Sequence, residues 1–368
     1  MLKNKFTVIS LFVLIMSLLI ACNNTNTNQA KNIGDGQNSA TVPVDSAGTT
    51  TNQEEMAITV ITDTTNISSS PLAIGLAKGY FEDVNVNVKV QHFRGSASLM
   101  TPFIASGEAD VTIGGPNAAF FNALNQGFDV RIVADAGKQF QNHSFTTLMV
   151  RKDLYDDGVI TSANDLHRLK GLKISFGTEG SPYDYFMSRV LESINLDKSD
   201  VEVQYQGGGI DYAALFQNKV VDVQPVIQPF ATSLEEQGLG VIIAGQGDIM
   251  EPVQTSAIMA SERLINSNKE ALIRFLQGYV LSIRDIVNQG NTWDEEIATL
   301  ISEWSGQSTE TLYKFDVPYY DKNGAVDVDS IKDQYNFWKE KGLVSGDYDI
   351  EGIVDDSFLN EALKRLEE

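Results

Sequence analysis

The stretch FRGSASLMTPFIASGEADVTIGGPN, Phe93 to Asn117, decides how this chain folds. It reads as a small-residue loop (Gly95 to Ser98) and a short helix with Leu99, Met100, Phe103 and Ile104 on its buried face. A stop at Gly107, a strand from Asp110 to Ile113 and a second small-residue turn, Gly114-Gly115-Pro116-Asn117, complete it. Pro102 limits how far upstream an unkinked helix can begin, so Ser96 and Ser98 fall at or before its cap. A serine there can cap the helix, touch a ligand, or do both. Each turn lies just ahead of a helix, where unpaired backbone N–H groups point outward, and together the turns make a cradle for a ligand.

Upstream of this stretch, Ala57 to Thr62 (AITVIT) is β-rich and ends at Asp63-Thr64-Thr65-Asn66. Ser68-Ser69-Ser70-Pro71 then opens a helix over LAIGLAKGYF that Gly79 can close. Val84 to Val90 alternates as a second strand; downstream, Ala118 to Gln126 reads as a helix and Val130 to Ala134 as a fourth strand. Alternating strands and helices predict a mainly parallel sheet, with ligands bound beyond the carboxyl ends of its strands.

The pattern then returns. Gln206-Gly207-Gly208-Gly209 precedes a helical run (IDYAALFQN), Val221-Asp222-Val223, an apolar strand and Gln228-Pro229-Phe230; the Asp-to-Pro spacing is seven here and six in the first pass. Two lobes built alike are predicted. Ser144 to Arg151 reads as a strand leaving the first lobe, Leu166 to Phe176 ends in a strand of the second, and Gly177 to Tyr183 is another Gly/Ser turn before a helix (YDYFMSRVLESI). Val241 to Ala244 closes the second lobe and Gln254 to Ala260 crosses back, so two crossings make a hinge. Helices are predicted beyond Ser261, at Asn268–Asn288, Trp293–Trp304, Ser330–Lys341 and Asp355–Leu366.

The beginning of the chain has a different character. Lys3 and Lys5 precede an apolar run from Phe6 to Ile20, about fifteen residues, shorter than the roughly twenty that a membrane-spanning helix needs. Leu19-Ile20-Ala21 leads directly into Cys22, the sole cysteine, as in a bacterial lipobox. Residues 1–21 are therefore read as a lipoprotein signal peptide and Cys22 as a diacylated, palmitate-bearing anchor on the extracytoplasmic face of a bacterial membrane. Asn23 to Glu55 is rich in Asn, Thr, Gly, Ser and Gln and has no aromatic residue, so residues 22–55 are read as the lipidated cysteine with a disordered tether.

A formal charge of −22 disfavours nucleic acid, which needs basic patches. Only His92, His143 and His167 are present, none in a metal-binding spacing, and there is no GxSxG elbow, phosphate loop or dinucleotide fingerprint. No cofactor and no metal are expected. A non-enzymatic role is read from this, with a tethered sensor or an enzyme on the same fold as alternatives.

The combination of PLAIGLAKGYFED, GSAS, SGEADVTIGG, DLHRLKGLKISFGTEGSPYDYF, VDVQPVIQPFATSLEEQG and DSFLNEAL resembles the solute-binding proteins for nitrate, sulfonates, taurine and thiamine-pyrimidine precursors, from about Ile58 to Leu366. The resemblance implies an α/β, two-lobed, periplasmic-binding-protein-like class II fold, each lobe a mainly parallel sheet flanked by helices. Residues 56–147 with 257–368 would form lobe 1 and residues 148–256 lobe 2. It further implies a lipid-anchored monomer that delivers a small molecule to an ABC permease and its ATPase. Carried over motif by motif, the ligand-binding positions are Asp63 and Asn66; Arg94, Ser96 and Ser98; Gly115, Pro116 and Asn117; Thr178, Gly180, Ser181 and Tyr183; and Gln228. The cysteine-rich motif of the related eukaryotic pyrimidine synthases is absent.

Two ligand classes compete. Arg94 offers paired donors suited to a sulfonate or carboxylate, or it pairs with a nearby carboxylate of the protein. Asp63, Glu179, Asp184 and Asp211, with Phe93, Phe140, Tyr183 and Phe230, would suit a flat polar heterocycle whose N–H groups the carboxylates accept. His143 lies near the hinge, as a possible donor or a solvated residue. The reading leans to a heteroaromatic, vitamin-precursor-like ligand, with an aliphatic sulfonate, taurine or nitrate as the alternative.

Overall fold

A computed structural model describes residues 56–94, 97–206 and 211–368. The leader and tether, Cys22, Ser96 and Gly207-Gly208-Gly209 lie outside the described residues. The strands, in chain order, are β1 (Met56–Thr62), β2 (Val86–His92), β3 (Val111–Gly114), β4 (Arg131–Asp135), β5 (Lys138–Gln139), β6 (Thr146–Arg151), β7 (Lys173–Ser175), β8 (Glu202–Gln204), β9 (Val223–Ile227), β10 (Gly240–Gly245), β11 (Val253–Gln254) and β12 (Ala257–Ala260).

They form two five-stranded sheets with one plan. The first has the order β2-β1-β3-β12-β4; the second, from its opposite edge, is β8-β7-β9-β6-β10. In each, the first three strands are parallel and the fourth is antiparallel to both neighbours. That fourth strand is the one that has just crossed from the other sheet. β6 therefore belongs to the second sheet from Thr146 onward and does not leave the first as a strand of it.

Side-chain alternation along the strands explains why both faces of the first sheet are covered. Val60, Val133 and Ile258 face one hydrophobic cluster, whereas their neighbours Ile61, Ile132 and Met259 face another. The first cluster is roofed by the helix Lys269–Asn288, whose Leu272, Phe275, Leu276, Tyr279, Ile283 and Ile286 recur at helical spacing with no exposed surface. Phe81 stacks on Phe275 at 5.2 Å. Each such fully buried side chain contributes about 1.5–3 kcal/mol by leaving water. The opposite face packs on Phe121 and Trp338 of the helices Ala118–Asn125 and Val328–Glu340.

Helix boundaries follow the caps more closely than the apolar periodicity. Asp294 accepts from the Ile297 N–H, so the helix expected at Trp293 begins at Glu295; Asp327 accepts from the Ser330 N–H, so the next begins at Val328.

The two crossings, residues 136–145 and 246–256, pair with each other through the short antiparallel ladder β5–β11. At Gly247 a side chain would run into the Phe140 carbonyl oxygen, so only glycine permits this approach. Gln254 joins the crossings: its Nε2 donates to Asp135 Oδ1 at 2.5 Å and to the Ser256 carbonyl at 2.7 Å, and its Oε1 accepts from the Asp327 N–H. Gln334 Nε2 donates to its carbonyl at 3.0 Å. The helix Val328–Glu340 is thereby fixed to the hinge.

Candidate functional site

A cavity of about 670 Å³ lies between the two sheets, of a size that suits a small molecule. Both sheets supply its wall from loops at the carboxyl ends of their strands. The loop after β1 contributes Asp63, Thr65 and Asn66; the loop after β2, Arg94; the end of β3 and its turn, Gly114 and Gly115. From the second sheet come Thr178, Ser181, Tyr183, Tyr212 and Phe230.

Local turn chemistry positions these groups. Asp63 Oδ1 accepts from the backbone N–H and hydroxyl of Thr65 at 2.9 and 2.6 Å, which leaves Oδ2 without a donor among the described residues. Asn66 caps the next turn through Oδ1, accepting from the Ser68 N–H. Ser181 caps the twelve-residue helix Pro182–Ser193, so that helix starts at the cavity wall and aims its positive dipole end there. Tyr183 and Tyr212 share a hydroxyl–hydroxyl hydrogen bond of 3.0 Å, and the Tyr212 ring lies 5.7 Å from that of Phe230. Burial pushes the Tyr212 hydroxyl up to about 12 and that of Tyr183 well above its ordinary value, with the Asp63 charge acting in the same direction. Both phenols stay neutral and available for hydrogen bonding at neutral pH.

The lobes touch across the mouth of the cleft. The Gly180 carbonyl accepts from the Ala118 N–H at 3.0 Å, and a side chain at Gly115 would meet Pro182 at 2.8 Å. A closed arrangement results.

Of the thirteen ligand positions expected from sequence, Asp63, Asn66, Arg94, Gly115, Thr178, Ser181 and Tyr183 line the cavity. Of the others, the five described residues lie off the cavity lining. Asn117 is wholly buried and caps the helix Ala118–Asn125, accepting from the Phe120 N–H and donating to the Gly115 carbonyl. Pro116 lies between those two residues and off the wall. Gly180 donates its N–H to Asp184 and forms the lobe contact. Gln228 turns its oxygen back to the Thr232 N–H and hydroxyl. Ser98 lies in a one-turn 3-10 segment and does not line the cavity. Ser96 is outside the described residues.

Among the aromatic and acidic candidates, Tyr183 and Phe230 are on the wall. Phe93 instead packs on Phe103, Phe140 stacks on Tyr319 at 4.8 Å, Asp184 is buried against Lys198, and Asp211 caps the helix Tyr212–Gln217. Glu179 is exposed and off the wall. His143 places Nδ1 3.2 Å from the Val317 carbonyl, away from the cleft lining.

Several wall residues escaped the sequence reading. Tyr212 could have been found as the counterpart of Tyr183, an aromatic just inside a helix that follows a Gly-rich turn. Phe145, Gln246, Thr255 and Ser256 come from the crossings, Thr146 from the first residue of β6, and Ser305, Gly306 and Gln307 from the end of the helix Glu295–Ser305; no local motif marks them. Among the described residues there is no cluster of three metal-ligating side chains, and no helix is long and apolar enough to cross a membrane.

Two similarly wired sheets with a cleft between them define the two-lobed, periplasmic-binding-protein-like class. Two solved structures share it: the ligand-binding component of an ABC-type import system from Staphylococcus aureus, with zinc bound (TM-score 0.67, 14% identity, covering 83% of this chain and 99% of that one); and the nitrate-binding protein NrtA from Synechocystis PCC 6803 (TM-score 0.67, 14% identity, 85% and 90%). At such identities the likeness shows the fold. The chain belongs to the NMT1/THI5-like family, whose model matches residues 66–291. YtlA of Bacillus subtilis (strain 168) is 22% identical over 213 residues, 58% of this chain and 60% of YtlA, so the match spans less than two thirds of that relative's length.

Proposed function

We propose that this chain is the solute-binding component of an ABC importer, capturing a small polar molecule between its lobes and presenting the closed form to a permease. The observation that carries this reading is a cavity walled by both sheets and both crossings, with the lobes joined at Gly180 and Ala118. A ligand that touches both walls favours the closed state by its extra contacts there. In this reading the chain is a monomeric carrier, not an enzyme, held on the extracytoplasmic face by lipid on Cys22.

The wall favours a flat, heteroaromatic ligand. Tyr183, Tyr212 and Phe230 offer ring surface, and the open oxygen of Asp63 accepts an N–H. The second reading, a sulfonate- or nitrate-like anion, is favoured by Arg94, which is exposed on the wall and has no carboxylate partner among the described residues. Arg94→Ala separates the two: it abolishes binding of an anion and leaves a heterocycle bound.

Small-angle scattering of the purified chain with and without the small molecule it retains, identified by mass spectrometry, tests the carrier reading. Compaction on saturation is expected; an unchanged envelope overturns it.

A further inference from the structure

The cavity wall is divided by charge. Asp63 and Arg94, its charged members, both sit on loops of the first sheet, after β1 and β2. The part contributed by the crossings and the first residue of β6, namely Phe145, Thr146, Gln246, Thr255 and Ser256, carries no charge.

That neutral part holds polar groups that the protein leaves unused. Gln246 is 2% exposed, and its Nε2 reaches only Met250 Sδ at 3.8 Å, while its Oε1 has no donor among the described residues. Ser256 is equally buried and its Oγ has no hydrogen-bond partner among the described residues. Thr146 accepts from Gln139 Nε2 at 3.1 Å, yet its own hydroxyl hydrogen has no acceptor among the described residues. Buried polar groups are almost always paired, because an unpaired one keeps its desolvation cost with no return. One such group, Ser256 Oγ, beside two only partly used ones, Gln246 and Thr146, along one stretch of cleft wall is what a ligand-reading surface looks like without its ligand. By contrast Gln139 and Gln254, in the same crossings, place their Nε2 groups on oxygen acceptors and accept an N–H at Oε1.

We infer that Gln246, supported by Thr146 and Ser256, is a specificity-determining residue that reads an uncharged hydrogen-bonding group of the ligand, a carboxamide or a hydroxyl, at the hinge side of the cleft. The inference rests on the carrier reading and narrows its substrate class. A side-chain amide supplies one acceptor and two donors, which match a carboxamide or alcohol in both directions. A carboxylate in the same place would face the Gln246 carbonyl with no proton to offer and no cation among the crossing residues that line the cavity to offset its charge. Discrimination of this kind is strong, because the wrong ligand leaves buried groups unpaired on both sides.

The test uses the full chain and paired probes that differ only at this group: nicotinamide and nicotinate, 3-aminobenzamide and 3-aminobenzoate, 4-(hydroxymethyl)pyridine and isonicotinate. Thermal-shift titration of wild type should show each bound neutral member at least tenfold tighter than its carboxylate. Gln246→Met, which matches the volume and sits beside Met250, should weaken the neutral member at least tenfold and erase the preference. Its unliganded melting temperature should be unchanged or higher, since a buried unpaired amide has gone.

Carboxylates binding as tightly as their neutral partners, Gln246→Met binding unchanged, or no member of the panel binding at all each overturns the inference. Mass spectrometry of the native preparation distinguishes this from failure of the carrier reading. A retained molecule whose polar groups are all charged sinks the inference alone, whereas a chain that binds no small molecule sinks the reading beneath it.

Discussion

At the scale of single residues, Asp135 and Gly247 are tightly enclosed positions at the hinge. Asp135 has no exposed surface, and burial pushes its carboxyl up to about 6, although Gln254 Nε2 and the N–H groups of Gly137 and Asp321 pull the other way. An acid whose value is raised on folding binds its proton more tightly in the native state. Its contribution to stability is therefore greatest below the unfolded value of 3.8 and is lost as pH rises through about 6. Between those limits the loss is on the order of 3 kcal/mol. Urea denaturation from pH 4 to pH 7 should show this as a falling component that Asp135→Asn removes; an unchanged pH slope in that variant would refute the assignment. Gly247→Ala forces a methyl group onto the Phe140 backbone and should cost about 1–3 kcal/mol by the same measurement. A wild-type midpoint would show that the crossings can part without penalty.

At the scale of elements, caps hold the cleft loops in place. Asn117 fixes both the start of the helix Ala118–Asn125 and the Gly115 carbonyl, so Asn117→Ala removes a cap and leaves buried donors and acceptors open. A loss of about 1–3 kcal/mol is expected, with Asn117→Asp recovering the capping part, and thermal denaturation of the two variants checks it.

This element also shows what was legible in the sequence and what was not. The alternation of strand, small-residue turn and helix from Phe93 to Asn117 announced a parallel sheet with a ligand-facing edge, because strand and helix periods and glycine turns are local properties. Whether Asn117 or Gln228 spends its amide on the backbone or on a ligand was not legible. Both uses need the same residue type in the same loop, and the outcome depends on where the next N–H falls. Gln246 and Thr146 were invisible for another reason. They reach the cavity only because two segments about a hundred residues apart in sequence pair through β5 and β11.

For the whole molecule, the helix Pro182–Ser193 of the second lobe is also bound along its length to Val328–Glu340. Tyr185 donates to Asp333 at 2.5 Å, Arg189 pairs with Asp333 at 2.9 Å, and the Arg189 guanidinium lies 5.3 Å from the rings of both Tyr185 and Phe337. Half-exposed ion pairs contribute little to global stability, less than about 1 kcal/mol. Because this one spans the lobes, its effect should appear in the balance between open and closed forms. Asp333→Arg should enlarge the unliganded chain in small-angle scattering with little change in melting temperature, and Arg189→Asp added to it should restore the wild-type envelope. An unchanged envelope in the single variant would show that the contact does not govern closure.

The exchange of fourth strands has a further consequence, for the order in which the protein can be finished. Among the described strands β4 pairs only with β12, apart from a lone bridge from Ile132 to Val354, and β3 has β12 along its second edge, so the first sheet cannot close until residues 257–260 have been synthesised. The nascent chain must hold an incomplete sheet through the making of the entire second lobe. Only the second sheet comes from one contiguous stretch, β6 to β10; the first lobe cannot be cut out whole, and a fragment ending at the second crossing would carry one complete sheet and one missing its keystone.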